Sequence, residues 1–116
     1  MRYTVAPRTG VANRIEQSGR ALTGGDGLEL KGRTLYVVNG YAGDEVVQLR
    51  LRRGYTATSV TRVLDESDTT SDLDRPTTGA LVDGDLFVVN GRFGTIAATG
   101  DGGARLRFTV SRLELR

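Results

Sequence analysis

Leu35-Tyr36-Val37-Val38-Asn39-Gly40 returns almost letter for letter as Leu86-Phe87-Val88-Val89-Asn90-Gly91, 51 positions further along a chain of 116 residues. The likeness extends outward on both sides. Upstream, Gly27 to Thr34 answers to Gly79 to Asp85 with one residue dropped in the turn; downstream, Tyr41-Ala42-Gly43 answers to Arg92-Phe93-Gly94. A repeat of this period signals one supersecondary unit used more than once.

Each copy opens with a strand and turn, Leu28–Leu30 before Lys31-Gly32-Arg33-Thr34 and Ala80–Val82 before Asp83-Gly84-Asp85. The run Leu35 to Val38 is apolar at every position, the mark of a strand covered on both faces. From Glu45 to Arg52, Val47, Leu49 and Leu51 alternate with Gln48, Arg50 and Arg52, which fits a half-solvated strand. Tyr55 to Leu64, rich in Thr and Val, reads as a further, more polar strand. Ahead of the first copy, Arg2 to Ala6 and Val11 to Glu16 read as two short strands. Between them, Pro7-Arg8-Thr9-Gly10 makes the turn, with proline presetting one φ and glycine supplying a positive one. Behind the second copy, Thr95 to Gly103 reads as a loose loop and Ala104 to Val110 as a strand. The apolar phase changes after Ser111, which predicts a bulge.

Burial therefore declines outward along a four-stranded antiparallel meander. That gradient suits a β-propeller blade, whose inner strands lie between neighbouring blades and whose outer strands meet water. The expected architecture is all-β, a partial propeller of about two blades. Residues 1–22 supply outer strands of one blade, 23–74 a complete blade, and 75–116 a blade lacking its outermost strand. The acidic loop Asp65 to Asp74 crosses between the last two.

Composition excludes more chemistry than any motif proposes. There is no cysteine and no histidine; disulfides, thiolate metal sites, thiol nucleophiles and the commonest general base are all ruled out. Fifteen of the sixteen basic residues are arginine, yet fourteen acids leave a net charge of only +2, so the composition does not point to nucleic acid. No apolar run reaches membrane-spanning length, and the first residues lack a hydrophobic signal segment. The sequence predicts a soluble chain.

The segments Pro7-Arg8-Thr9-Gly10, Asp26-Gly27-Leu28, Gly32 to Asn39, Pro76-Thr77-Thr78 and Asn90 to Gly94, in this order and period, resemble the six-bladed propellers of the regucalcin and gluconolactonase-like family. The resemblance spans essentially the whole chain but only about two of the family's six blades. It implies a divalent ion, often calcium, held by Asp, Asn and Glu at the channel mouth, and hydrolysis of lactones. Oxygen ligands suit calcium. Asp26 stands where the resemblance implies a metal ligand; the matching place in the second copy holds Thr78, a departure from the pattern. Asn39 and Asn90 are expected as polar groups of the channel mouth, or as strand-end residues tolerating left-handed geometry before glycine.

The remaining motifs read more plainly. Asp65 to Asp74 lacks the spacing of a calcium loop, Thr99 to Gly103 is followed by no helix that would favour phosphate, and Arg50, Arg52 and Arg53 read as an edge kept soluble by charge. The expected role is that of a propeller subunit or fragment serving as a binding or structural module, the alternative being a calcium-dependent lactone hydrolase. Two blades alone leave edges and apolar faces open, which predicts self-association to complete the ring.

Overall fold

The computed structural model describes residues 2–41 and 43–116. Ala42, matched to Phe93 in the repeat, lies outside the described residues. The chain forms nine strands among them: β1 (Arg2–Val5), β2 (Ala12–Ser18), β3 (Leu28–Lys31), β4 (Thr34–Asn39), β5 (Glu45–Leu51), β6 (Ala57–Leu64), β7 (Pro76–Val82), β8 (Asp85–Asn90) and β9 (Val110–Leu113). One short helix, α1 (Phe93–Thr99), precedes β9. Six strands make one curled sheet in the order β1-β2-β6-β5-β4-β3, and three make a second in the order β7-β8-β9.

The two copies of the repeated segment thus fall in different sheets. β4 and its neighbour β5 are the best-protected strands, because the two faces of each enter two cores. Tyr36 and Val38 join Val46, Leu64, Leu73, Leu86, Val88 and Leu113 in the cluster shared by both sheets. Val37 packs on the opposite face with Val47, Leu49 and the partly buried Leu22 and Val60. Each fully buried Val or Leu contributes roughly 1.5–3 kcal/mol relative to exposure. β7 packs against β3 and β4, and glycine makes the approach possible. A Cβ on Gly40 would sit 2.1 Å from the Pro76 carbonyl oxygen, and one on Gly27 would sit 2.6 Å from Thr78 Cα.

The N-terminal hairpin turns where the sequence places it. Gly10, at φ +71°, donates its N–H to the Ala6 carbonyl at 2.8 Å. Residues 1–22 do not start a sheet of their own, however. β2 runs parallel to β6, with Glu16, Gln17 and Ser18 opposite Ala57, Thr58 and Ser59, so the hairpin extends the outer edge of the first sheet.

The C-terminal third departs most from expectation. Residues 95–103, expected as a loop, include most of α1. Left-handed Arg92 (φ +52°) turns the chain into it, and Gly100 (φ +72°) ends it with the left-handed residue helices commonly stop on. The strand expected over Ala104 to Val110 is displaced to β9, and β9 pairs with β8 without a bulge, from Val89 opposite Val110 to Leu86 opposite Leu113. Ser111 and Leu113 face the core, whereas Phe108 and Val110 are exposed. The buried phase begins on a serine, so apolar residues alone misplace it.

Candidate functional site

The Asn-Gly end of both hairpins borders a cleft of about 510 Å³ between the sheets, with Asp26, Tyr41, Arg75 and Phe93 on its walls. Its floor is backbone, because Gly40 allows the end of β4 to lie directly on Pro76. Arg75 locks this junction. Its backbone sits at φ +49°, its N–H donates to Asp44 Oδ1 at 2.7 Å, and its guanidinium donates to the Tyr41 and Gly40 carbonyls at 2.7 and 3.3 Å. A guanidinium spent on two carbonyls is a structural clamp more than a free cation.

A second lock lies beside it. Arg92 Nε donates to Asp74 Oδ2 at 3.1 Å, Thr95 Oγ1 donates to the same oxygen at 2.9 Å, and Arg92 Nη1 donates to the Arg107 carbonyl at 2.7 Å. The rim between these clamps carries two aromatic rings, Tyr41 at 83% and Phe93 at 60% exposure. Two accessible rings over a glycine-lined floor present flat apolar surface with polar edges, the composition of a small-ligand cleft.

The residues expected at the channel mouth divide. Asp26 and Thr78 are exposed, and the Gly27–Thr78 approach brings their backbones together across the sheets. The Asp26 N–H donates to the Val38 carbonyl at 2.9 Å, closing the entry to β3. Among the described residues no group of three or more Asp, Glu, His or Cys is arranged to hold a metal ion.

Asn39 and Asn90 do not line the cleft. Both are buried at the last position of their strands, at 1% and 0% exposure, and neither has the left-handed backbone expected of them. Asn39 Nδ2 donates to Glu45 Oε1 at 2.9 Å, and the same carboxylate oxygen takes a bond from Arg20; Asn39 Oδ1 has no partner among the described residues. Asn90 is better supplied. Its Oδ1 accepts from the Asp74 N–H at 3.1 Å, while Nδ2 fans toward the Asp72 carbonyl, Thr109 Oγ1 and Ser111 Oγ at 3.2, 3.0 and 2.7 Å. Side chains that close a strand end against its own sheet are structural.

Sequence reasoning missed Arg75, Tyr41 and Phe93 at the cleft. A charged residue immediately before proline was the available signal for Arg75; nothing local marks the rings as neighbours. Comparison with known proteins finds no matching family model, no matching curated protein and no matching solved structure. Among the described residues no helix is long and apolar enough to cross a membrane.

Proposed function

We propose that the chain is a two-blade propeller unit acting as a binding and structural module, with the cleft between Tyr41 and Phe93 as its binding surface. The observation that carries this reading is the separation of the repeated hairpins into two sheets that meet through β3, β4 and β7. Consecutive blades of a radial fold meet through their inner strands in this way, with glycine at the closest approaches. The reading extends to assembly. Among the described residues no strand pairs with the outer edge of β1 or of β9, and β1 of one copy joining β9 of the next makes a head-to-tail contact that closes when the rotation permits. Because β1 belongs to the six-stranded sheet, this contact joins the first sheet of one copy to the second sheet of the next and covers both open edges.

Sedimentation velocity across a wide concentration range tests this: a closed oligomer is expected, and a folded, monodisperse monomer at every concentration contradicts it. Calcium separates the module from the lactone hydrolase. A ligand that binds only the folded state must raise the melting temperature. No shift at millimolar calcium is the expected result for the module; a clear rise, lost in Asp26→Asn, favours the hydrolase.

A further inference from the structure

The two sheets differ at the first residue of the repeated strand. In the second sheet this is Asp85, whose Oδ2 accepts from Arg112 Nε and Nη2 at 2.8 and 2.6 Å. In the first sheet the repeat places Thr34 there, and Arg50 Nη1 reaches only its hydroxyl, at 3.4 Å. Thr34 and Arg50 are register partners across β4 and β5. The first sheet therefore has a hydroxyl where the second has a carboxylate, and among the described residues Arg50 makes no salt bridge.

Arg50 is not alone. Arg33, Arg52 and Arg53 line the same cleft, about 640 Å³ at the end of the first sheet beside the β2–β6 pairing. Among the described residues none of the four arginines makes a salt bridge. The single acid on the cleft wall, Glu16, already faces Arg14 Nε at 3.8 Å. Guanidiniums gathered in this way repel one another and present forked donors matched to phosphoryl oxygens.

We propose that this cleft binds a small, multiply charged phosphate compound through the guanidiniums of Arg33, Arg50, Arg52 and Arg53. The chemistry favours a small ligand over nucleic acid. No aromatic side chain lines the cleft to stack a base, and a net charge of +2 leaves no extended basic track for a polymer backbone. The site belongs to the first sheet alone and is independent of the module reading above.

The test is calorimetric titration and thermal melting of the full chain with inorganic tripolyphosphate at fixed ionic strength. Sulfate and a single-stranded oligonucleotide serve as comparators. One saturable site and a raised melting temperature are expected for tripolyphosphate. Arg50→Gln combined with Arg52→Gln is expected to weaken binding about tenfold or more, the size of losing charge-assisted bonds. Thr34→Asp supplies the missing anion from within the chain and is expected to weaken binding comparably without lowering the melting temperature of the free protein. The proposal is overturned by absent saturation, by sulfate matching tripolyphosphate, by tighter binding of the oligonucleotide, or by wild-type affinity in the folded double variant.

Discussion

One segment, Leu-aromatic-Val-Val-Asn-Gly, ends in two differently built polar knots. At the end of β4, Asn39 meets the carboxylate of Glu45, which Arg20 shares, and one amide oxygen goes unpartnered. At the end of β8, Asn90 meets hydroxyls and carbonyls, and both of its polar atoms are used. The register explains the difference. Glu45 lies opposite Asn39, and Thr109, which accepts the Asn90 N–H through its carbonyl at 3.0 Å, occupies the corresponding place in the second sheet. A repeat thus transmits the hairpin, while the neighbouring strand decides the polar chemistry at its end.

The glycine after each asparagine gives the sharpest way to break the equivalence. A methyl at Gly40 collides with Pro76 backbone at 2.1 Å, whereas one at Gly91 meets first the Phe93 ring and the Thr77 methyl at 2.8 and 2.9 Å and backbone, the Arg75 carbonyl oxygen, only at 3.1 Å, and side chains yield more readily than backbone. Gly40→Ala is expected to cost about 3 kcal/mol or more and Gly91→Ala about 1–2 kcal/mol, the range for overpacking. Urea unfolding of both variants checks this. Equal losses would mean that the junction of the two sheets does not rest on Gly40.

Next in size are the asparagines themselves. Asn90→Ala strands a backbone N–H and several acceptors in a buried site and is expected to cost about 2–3 kcal/mol. Asn39→Ala loses one bond to Glu45 but also removes an unpartnered buried oxygen, so about 1 kcal/mol or less is expected. The same denaturant curves measure both, and a larger loss at Asn39 would reverse the assignment of the better-satisfied knot.

Acid sharpens the contrast between Thr34 and Asp85. The hydrogen bonds from Arg112, and then the one from the Leu115 N–H, hold the Asp85 carboxyl below its ordinary value of 3.8. A carboxyl depressed on folding stabilises the fold above its unfolded-state value, and that contribution disappears as pH falls through the folded-state value. Stability is therefore expected to drop below about pH 4, with a shallower acid limb in Asp85→Asn. Urea midpoints measured stepwise from neutral to acid pH test it, and an unchanged limb in the variant would place the acid sensitivity elsewhere, with Asp65 the next group to examine because the Ser67 side chain and N–H depress it.

Much of the first sheet was legible because its signals are local. The Pro-Arg-Thr-Gly turn, the wholly apolar Leu35–Val38 run and the alternation through Leu51 each dictate a strand or turn on their own. The C-terminal third was not. Ser111 takes a core position that a hydrophobic pattern leaves blank, and α1 begins on the left-handed Arg92, held by Asp74 and the Arg107 carbonyl from elsewhere in the chain. The cleft was read only in part. Asp26 lies on its wall and could be located from the repeat, whereas Thr78 stands beside it on β7, Asn39 and Asn90 turn inward because of what lies across the register, and Arg75 acts on carbonyls thirty-odd residues away.

The smallest expected effect on folding comes from the open edge of β9. β5 is covered by β6, whereas its counterpart β9 ends the second sheet, with Val110 59% exposed. An exposed apolar residue on an edge strand favours edge-to-edge association, and a lysine there opposes it. Val110→Lys is expected to change unfolding free energy by less than about 0.5 kcal/mol, as is usual for surface positions. Its effect should appear in assembly instead, as a shift toward monomer in sedimentation velocity at matched concentration. A charge at Thr61, on the paired strand β6 of the first sheet, serves as the comparison and is expected to leave assembly unchanged. If Thr61→Lys dissociates the oligomer and Val110→Lys does not, the copies meet through the first sheet and β9 is not the joining edge.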